Sequence, residues 1–135
     1  MPKFQWEEKY SVNIAVIDDQ HKKIVELLNT LSDAAAANEL QKVIELIVEE
    51  VVAYSIYHFT TEELLMTTHH YPEYEEHKKE HDDFRAKVSD FQKNAKSKGV
   101  AIVPEVLELL TNWLDHHILT VDKKYGPFLN ERGVF

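Results

Sequence analysis

The sequence predicts an all-α protein, an antiparallel up-and-down four-helix bundle preceded by an N-terminal arm. Apolar residues recur at spacings of three and four through four long stretches, and no stretch sustains the alternation of a strand. Turn residues are scarce, with 3 Gly and 4 Pro in 135 residues, too few for the punctuation a β-sandwich needs. The connections "ANE", "HHY" and "GVAIV" are short, which makes neighbours in sequence antiparallel neighbours in space.

Residues 1–17 form the arm, for which no regular conformation is predicted. The first helix is expected from about Asp18 to Ala37, with His21, Ile24, Leu28 and Leu31 on one face and Asp18 or Asp19 placed to cap it. The second runs from about Glu39 to Thr67, roughly 40 Å at helical rise, and turns Ile47, Val51, Tyr54, His58, Glu62 and Leu65 inward. Pro72 suits the first turn of the third helix, which ends at Lys98 before Gly99. Its stripe is Tyr74, His77, His81, Phe84, Val88 and Phe91. Pro104 opens the fourth, expected to about residue 124, with Leu107, Leu110, Trp113 or Leu114, His117 and Val121 inward and Gly126-Pro127 closing it. A chain of this length fits one domain, residues 1–135.

A formal charge of -9 argues against nucleic-acid and anionic-membrane surfaces, which would repel the chain on approach. The absence of cysteine removes disulfides, thiolate metal sites and cysteine nucleophiles. It also fits a reducing cytoplasm. The opening "MPKFQWEEKY" has no apolar core of a signal peptide, and no stretch reaches the roughly 18 apolar residues of a membrane span. A cytoplasmic protein is expected.

The histidines fall on unexpected faces. Steps of four, three, four and three connect His77, His81, Phe84, Val88 and Phe91, so both imidazoles point where the phenylalanines point. Glu75, Lys78, Lys79 and Asp82 take the outer angles of the same helix. His58 and Glu62 repeat the four-residue spacing on the second helix, and His21 lies one turn before Ile24 on the first. On the fourth, His117 aligns with Leu110 and Trp113, whereas His116 aligns with Asn112 and Thr120 and faces out. A single inward histidine is most simply a hydrogen-bonded core residue. An inward Glu62 at the depth of a histidine on every helix is different, because an unpaired buried carboxylate costs several kcal/mol. A shared metal centre accounts for all of them at once.

The candidate ligands are His21, His58, Glu62, His77, His81 and His117, with Asp122 one further turn along. Asp122 is five residues after His117, about 140° away on an ideal helix, so it reaches the same centre only through a wider local turn. Seven ligands are too many for one zinc ion, which takes about four. If both carboxylates bridge two ions, five nitrogens and four oxygen bonds are supplied, and a bridging hydroxide makes eleven of the twelve places around two octahedral ions. One place stays open. Imidazole and carboxylate without sulfur suit iron, and copper or zinc would bind the same set.

These stretches resemble the hemerythrins, in particular the single-domain bacterial form. The matching pieces are "YSV" and "IDDQH" around His21, "YHFTTEE" around His58 and Glu62, "YPEYEEHKKEH" through His77 and His81, and "WLDHHILTVDKKYGPFL" through His117 and Asp122. The resemblance implies a non-haem di-iron centre, Fe2+/Fe3+ with a bridging hydroxide or oxide, that binds O2 reversibly as carrier, store or delivery protein. It implies that His77, His81 and His117 saturate one iron, that His21 and His58 hold the other, and that Glu62 and Asp122 bridge. O2 would then sit as hydroperoxide on the iron with two histidines. Leu114 matches a leucine of the family's O2 pocket, and Trp113, Phe59 and Ile118 are its expected neighbours. Asn13 stands where similar sequences have Gly, a change that asparagine's tolerance of left-handed backbone makes mild. His69 and His70 match no ligand and read as surface residues.

Two other functions compete. The same open iron serves a di-iron oxidase, peroxidase or nitric-oxide-reducing enzyme if protons reach the bound peroxide, yet no further inward carboxylate offers a relay. An O2 or redox sensor would act through a separate partner.

Overall fold

The computed structural model describes residues 4–135, and the first three residues of the expected arm lie outside them. Every regular element among the described residues is helical: α1 (Ala15–Ala36), α2 (Leu40–Thr68), α3 (Tyr74–Lys98), α4 (Val103–Asn112) and α5 (Lys123–Asn130). Short 3-10 turns occupy Glu8–Tyr10 and Gly99–Ile102, and a π-helical segment, Trp113–Asp122, joins α4 to α5. Cross-helix contacts fix the directions. Gln20 meets Thr61 and Lys23 meets Glu50. His77 meets Glu62 and Phe84 meets Tyr54, while Glu80 meets His117 and Phe84 meets Trp113. In each pair one number rises as the other falls, so the neighbours run antiparallel.

The boundaries differ from expectation in three places. First, α1 begins at Ala15, so neither Asp18 nor Asp19 caps it, and its N-cap, Ile14, makes no side-chain bond. Asp18 reaches back instead and accepts from Ser11 Oγ at 2.6 Å and Val12 N–H at 2.9 Å. That tie seats the arm, whose Tyr10, Val12 and Ile14 are buried. Asn13 takes φ 60, the left-handed conformation its side chain tolerates. Second, Pro72 sits in the turn before α3 rather than in its first turn.

Third, the last helix is neither regular nor closed by Gly126-Pro127. It continues to Asn130 with Pro127 inside it, because Tyr125 and Leu129 on either side are buried and that packing outweighs one missing backbone hydrogen bond. Gly126 is required here: a Cβ would stand 2.8 Å from the Val12 carbonyl oxygen of the arm. Leu107 and Val121, expected inward, are only half-buried, and Val106, Leu109, Ile118 and Asp122 take the inward positions.

The apolar core has two parts. The larger includes Ile24, Leu28, Val51, Tyr54, Phe59, Phe84, Val88, Trp113, Leu114 and Ile118. The smaller includes Val12, Ile14, Ile17, Met66, Tyr71, Tyr125 and Leu129. Read along any of the four inner stripes, histidines and carboxylates lie between one cluster and the other. A polar layer is thereby sealed above and below by apolar side chains.

Candidate metal centre

Four strands of chain deliver the polar layer. His21 comes from α1, His58 and Glu62 from α2, His77 and His81 from α3, and His117 and Asp122 from the π segment, each 3% exposed or less. Their donor atoms form two overlapping groups, each within 4.8 Å: Glu62, His77, His81, His117 and Asp122 in one, and His21, His58, Glu62 and Asp122 in the other. The two carboxylates belong to both groups. Asp122 Oδ1 lies 2.8 Å from His77 Nε2 and 2.9 Å from His117 Nε2, and its Oδ2 lies 2.9 Å from His21 Nε2. Glu62 Oε1 lies 2.5 Å from His58 Nε2 and 3.5 Å from His81 Nε2.

The π segment explains how Asp122 gets there. Hydrogen bonding at i→i+5 widens the turn, which brings residue 122 onto the face of residue 117. His116 points outward near Glu80, 4.0 Å away, and neither His69 nor His70 belongs to either donor group.

The donor set suits a cation better than it suits hydrogen bonding. His58, His77, His81 and His117 Nε2, both His21 nitrogens and all four carboxylate oxygens are buried without a hydrogen-bond partner. Their short N···O separations are thus approaches to a common centre without an aligned N–H. Nearly all buried polar atoms in folded proteins are satisfied, so ten orphans in one place require a group that binds lone pairs. The residues fit one or two divalent ions.

The opposite ring nitrogens are held from outside. His81 Nδ1 faces Glu63 Oε2 at 2.8 Å, His117 Nδ1 faces Glu80 Oε1 at 3.0 Å, and His58 Nδ1 faces Gln20 Oε1 at 2.6 Å. Arg85 donates to the same Glu63 oxygen at 2.9 Å. Sequence reasoning missed Gln20, Glu63 and Glu80. Each is adjacent in sequence to a candidate ligand, a signal that becomes legible only when the facing helix is known.

Electrostatics set the two carboxylates against the imidazoles around them. Burial and mutual repulsion push the Glu62 carboxyl up, but His58 and His81 outweigh them and hold it well below the usual range. Burial pushes Asp122 up as well, and His117, His21 and His77 hold it well down. Both carboxylates are ionised. Burial lowers His58 and keeps it neutral, the form that ligates metals. Burial also disfavours protonation of His117 and His81, yet Asp122 and Glu80 push His117 up to about 10, and Glu62 and Glu63 raise His81.

The four expected pocket residues are buried. Phe59 stacks on His81 with ring centroids 4.0 Å apart, and Trp113 stacks on His117 at 3.7 Å. Leu114 and Ile118 are 1% and 0% exposed within the larger apolar cluster. Tyr54, unforeseen, stacks on His58 at 5.0 Å and accepts from Trp113 Nε1–H at 3.2 Å.

Comparison with known proteins agrees with this geometry. Residues 12–129 match the family model described as the hemerythrin HHE cation binding domain. The chain is 38% identical over 120 residues to a bacteriohemerythrin of Pseudomonas paraeruginosa, covering 89% of this chain and 77% of the relative. It is 32% identical over 123 residues to a myohemerythrin of Theromyzon tessulatum, covering 90% of each. A solved wild-type hemerythrin superposes with a TM-score of 0.81 at 31% identity, over 93% of this chain and 97% of that one. With a matched model spanning most of its length and seven inward donors at one depth, this chain belongs to the hemerythrin family.

Proposed function

We propose that the chain binds O2 reversibly at a two-iron centre, as carrier, store or delivery protein in a reducing cytoplasm, with residues 1–135 acting as one domain. The observation that carries this reading is the set of buried donor atoms without partners, divided into two groups that share Glu62 and Asp122. His77, His81 and His117 would hold one iron, His21 and His58 the other, and the two carboxylates would bridge. Ferrous iron held there would supply the electrons that bound O2 takes up and gives back.

The protein's own part is to hold and to exclude. Two anionic carboxylates among five imidazoles would offset half the charge of two divalent ions, which lowers the cost of burying them. Phe59, Trp113, Leu114 and Ile118 cover the polar layer with apolar surface, which admits O2 and keeps out the water and protons that drive irreversible oxidation. Glu63 and Glu80 are engaged by His81 and His117, so among the described residues no free carboxylate faces inward to relay protons.

An oxygen electrode tests the reading. Reduced iron-loaded protein should take up about one O2 per two irons and return it on deoxygenation, with no continuing uptake when a reductant is present. Continuing uptake with reductant would make the chain an oxidase and overturn the proposal. No helix among the described residues is long and apolar enough to cross a membrane.

A further inference from the structure

We infer that Gln20 is a positioning residue for the two-histidine end, the last link in a chain that starts at a backbone carbonyl and fixes which nitrogen of His58 is bare. The inference rests on the two-iron reading for its purpose but not for its geometry. Thr61 Oγ1 donates its only proton to the Tyr57 carbonyl at 2.9 Å. Its lone pairs then face Gln20 Nε2 at 3.3 Å, which sets the amide nitrogen of Gln20 toward Thr61. The amide oxygen is left facing His58 Nδ1 at 2.6 Å. An amide oxygen only accepts, so Nδ1 must carry a proton. With Nδ1 committed to Gln20, Nε2 is the nitrogen left to offer a metal, on the side of Glu62. Reversing the Gln20 amide would set its oxygen against a hydroxyl whose proton is already committed, so Thr61 decides the orientation.

The three orienters are chemically unequal. His81 and His117 are held by carboxylates, Glu63 and Glu80, which bring negative charge and raise the donor strength of an imidazole. His58 is held by a neutral amide, and His21 Nδ1 has no hydrogen-bond partner. Ligand number and donor strength therefore fall on the same side. The end read as open to O2 is the electron-poorer one, which favours its ferrous form and slows spontaneous oxidation. Gln20 also floors a crevice of about 300 Å3 lined by Lys23, Glu50, Ala53, Tyr54 and Tyr57, so a substitution there changes the orienter without emptying the core.

Three variants test the inference, with one readout that needs no metal. Nitrogen NMR of the metal-free protein near pH 8.5 should show a proton on His58 Nδ1. Gln20→Leu should give a tautomer mixture, and Thr61→Val should shift the balance the same way. With metal, Gln20→Leu should weaken binding of the second ion by about 10–100-fold in a chelator competition, the usual cost of losing an orienter. Gln20→Glu should retain both ions and oxidise about tenfold faster in air, as expected if added donor strength favours the ferric state. An Nε2–H tautomer in the wild type, or one unchanged in Gln20→Leu, overturns the positioning role. An unchanged oxidation rate in Gln20→Glu overturns the donor-strength role. Failure to bind iron at all would overturn the two-iron reading and leave the tautomer result standing.

Discussion

Substituting Asp122→Asn in the metal-free protein should flatten a pH dependence of stability that the wild type shows above neutrality. His117 is held up at about 10, against an ordinary value near 6.5, chiefly because Asp122 outweighs the effect of burial. A raised folded-state value stabilises the fold in full below about pH 6.5, and that contribution is lost as pH climbs toward about 10. Each pH unit inside the window is worth about 1.4 kcal/mol, so moving from pH 6.5 to 9 removes at most about 3.4 kcal/mol. His117 shares its charge with Glu62, Glu80 and Asp122, which brings the expected loss to about 2 kcal/mol. The raised value of His81 acts in the same direction. Stopping at pH 9 keeps ordinary tyrosine and lysine titration out of the comparison. Urea unfolding at pH 6.5, 7.5 and 9 supplies the assay. Wild-type stability should fall across the series, and Asp122→Asn should change by less than about 1 kcal/mol. Wild-type stability that stays level or rises would refute the charge balance assigned to the polar layer.

The same balance predicts that metal binding releases protons: His117 and His81 carry raised values, so loading at pH 7 in weak buffer should acidify a dye indicator by about one to two protons per chain. Leu114→Ala should cost about 2–5 kcal/mol in urea unfolding and speed oxidation of the reduced iron protein, because it empties buried apolar volume beside the polar layer. Gly126→Ala should cost about 1–3 kcal/mol, since its new methyl meets the Val12 backbone oxygen at 2.8 Å and the arm must move. A Gly126→Ala midpoint equal to the wild type would show that the arm is not seated there.

What the sequence made legible was whatever repeats at 3.6 residues. His77, His81, Phe84, Val88 and Phe91 share a face in the sequence and are all buried in the structure. His58 and Glu62 follow the same rule. Asp122 breaks it, because the segment Trp113–Asp122 is π-helical and no apolar periodicity announces a wider turn. For the same reason Val121, which falls on the inner stripe of an ideal helix, is half-buried. The outer residues were illegible for another reason. Gln20, Glu63 and Glu80 look like ordinary surface positions, and only the packing of a neighbouring helix gives each an imidazole to hold. The passage of the last helix through Pro127 likewise depends on the arm and on Tyr125 and Leu129, long-range packing that local propensity does not contain.

On the proposed reading, this polar layer holds two irons that take up O2 and give it back. Anaerobically reduced, iron-loaded protein followed by absorbance during O2 titration tests it most directly. A visible band should grow to saturation at about one O2 per two irons, bleach when O2 is removed and return on re-exposure. A band that forms once and does not bleach, or reduced protein that shows none, would contradict it.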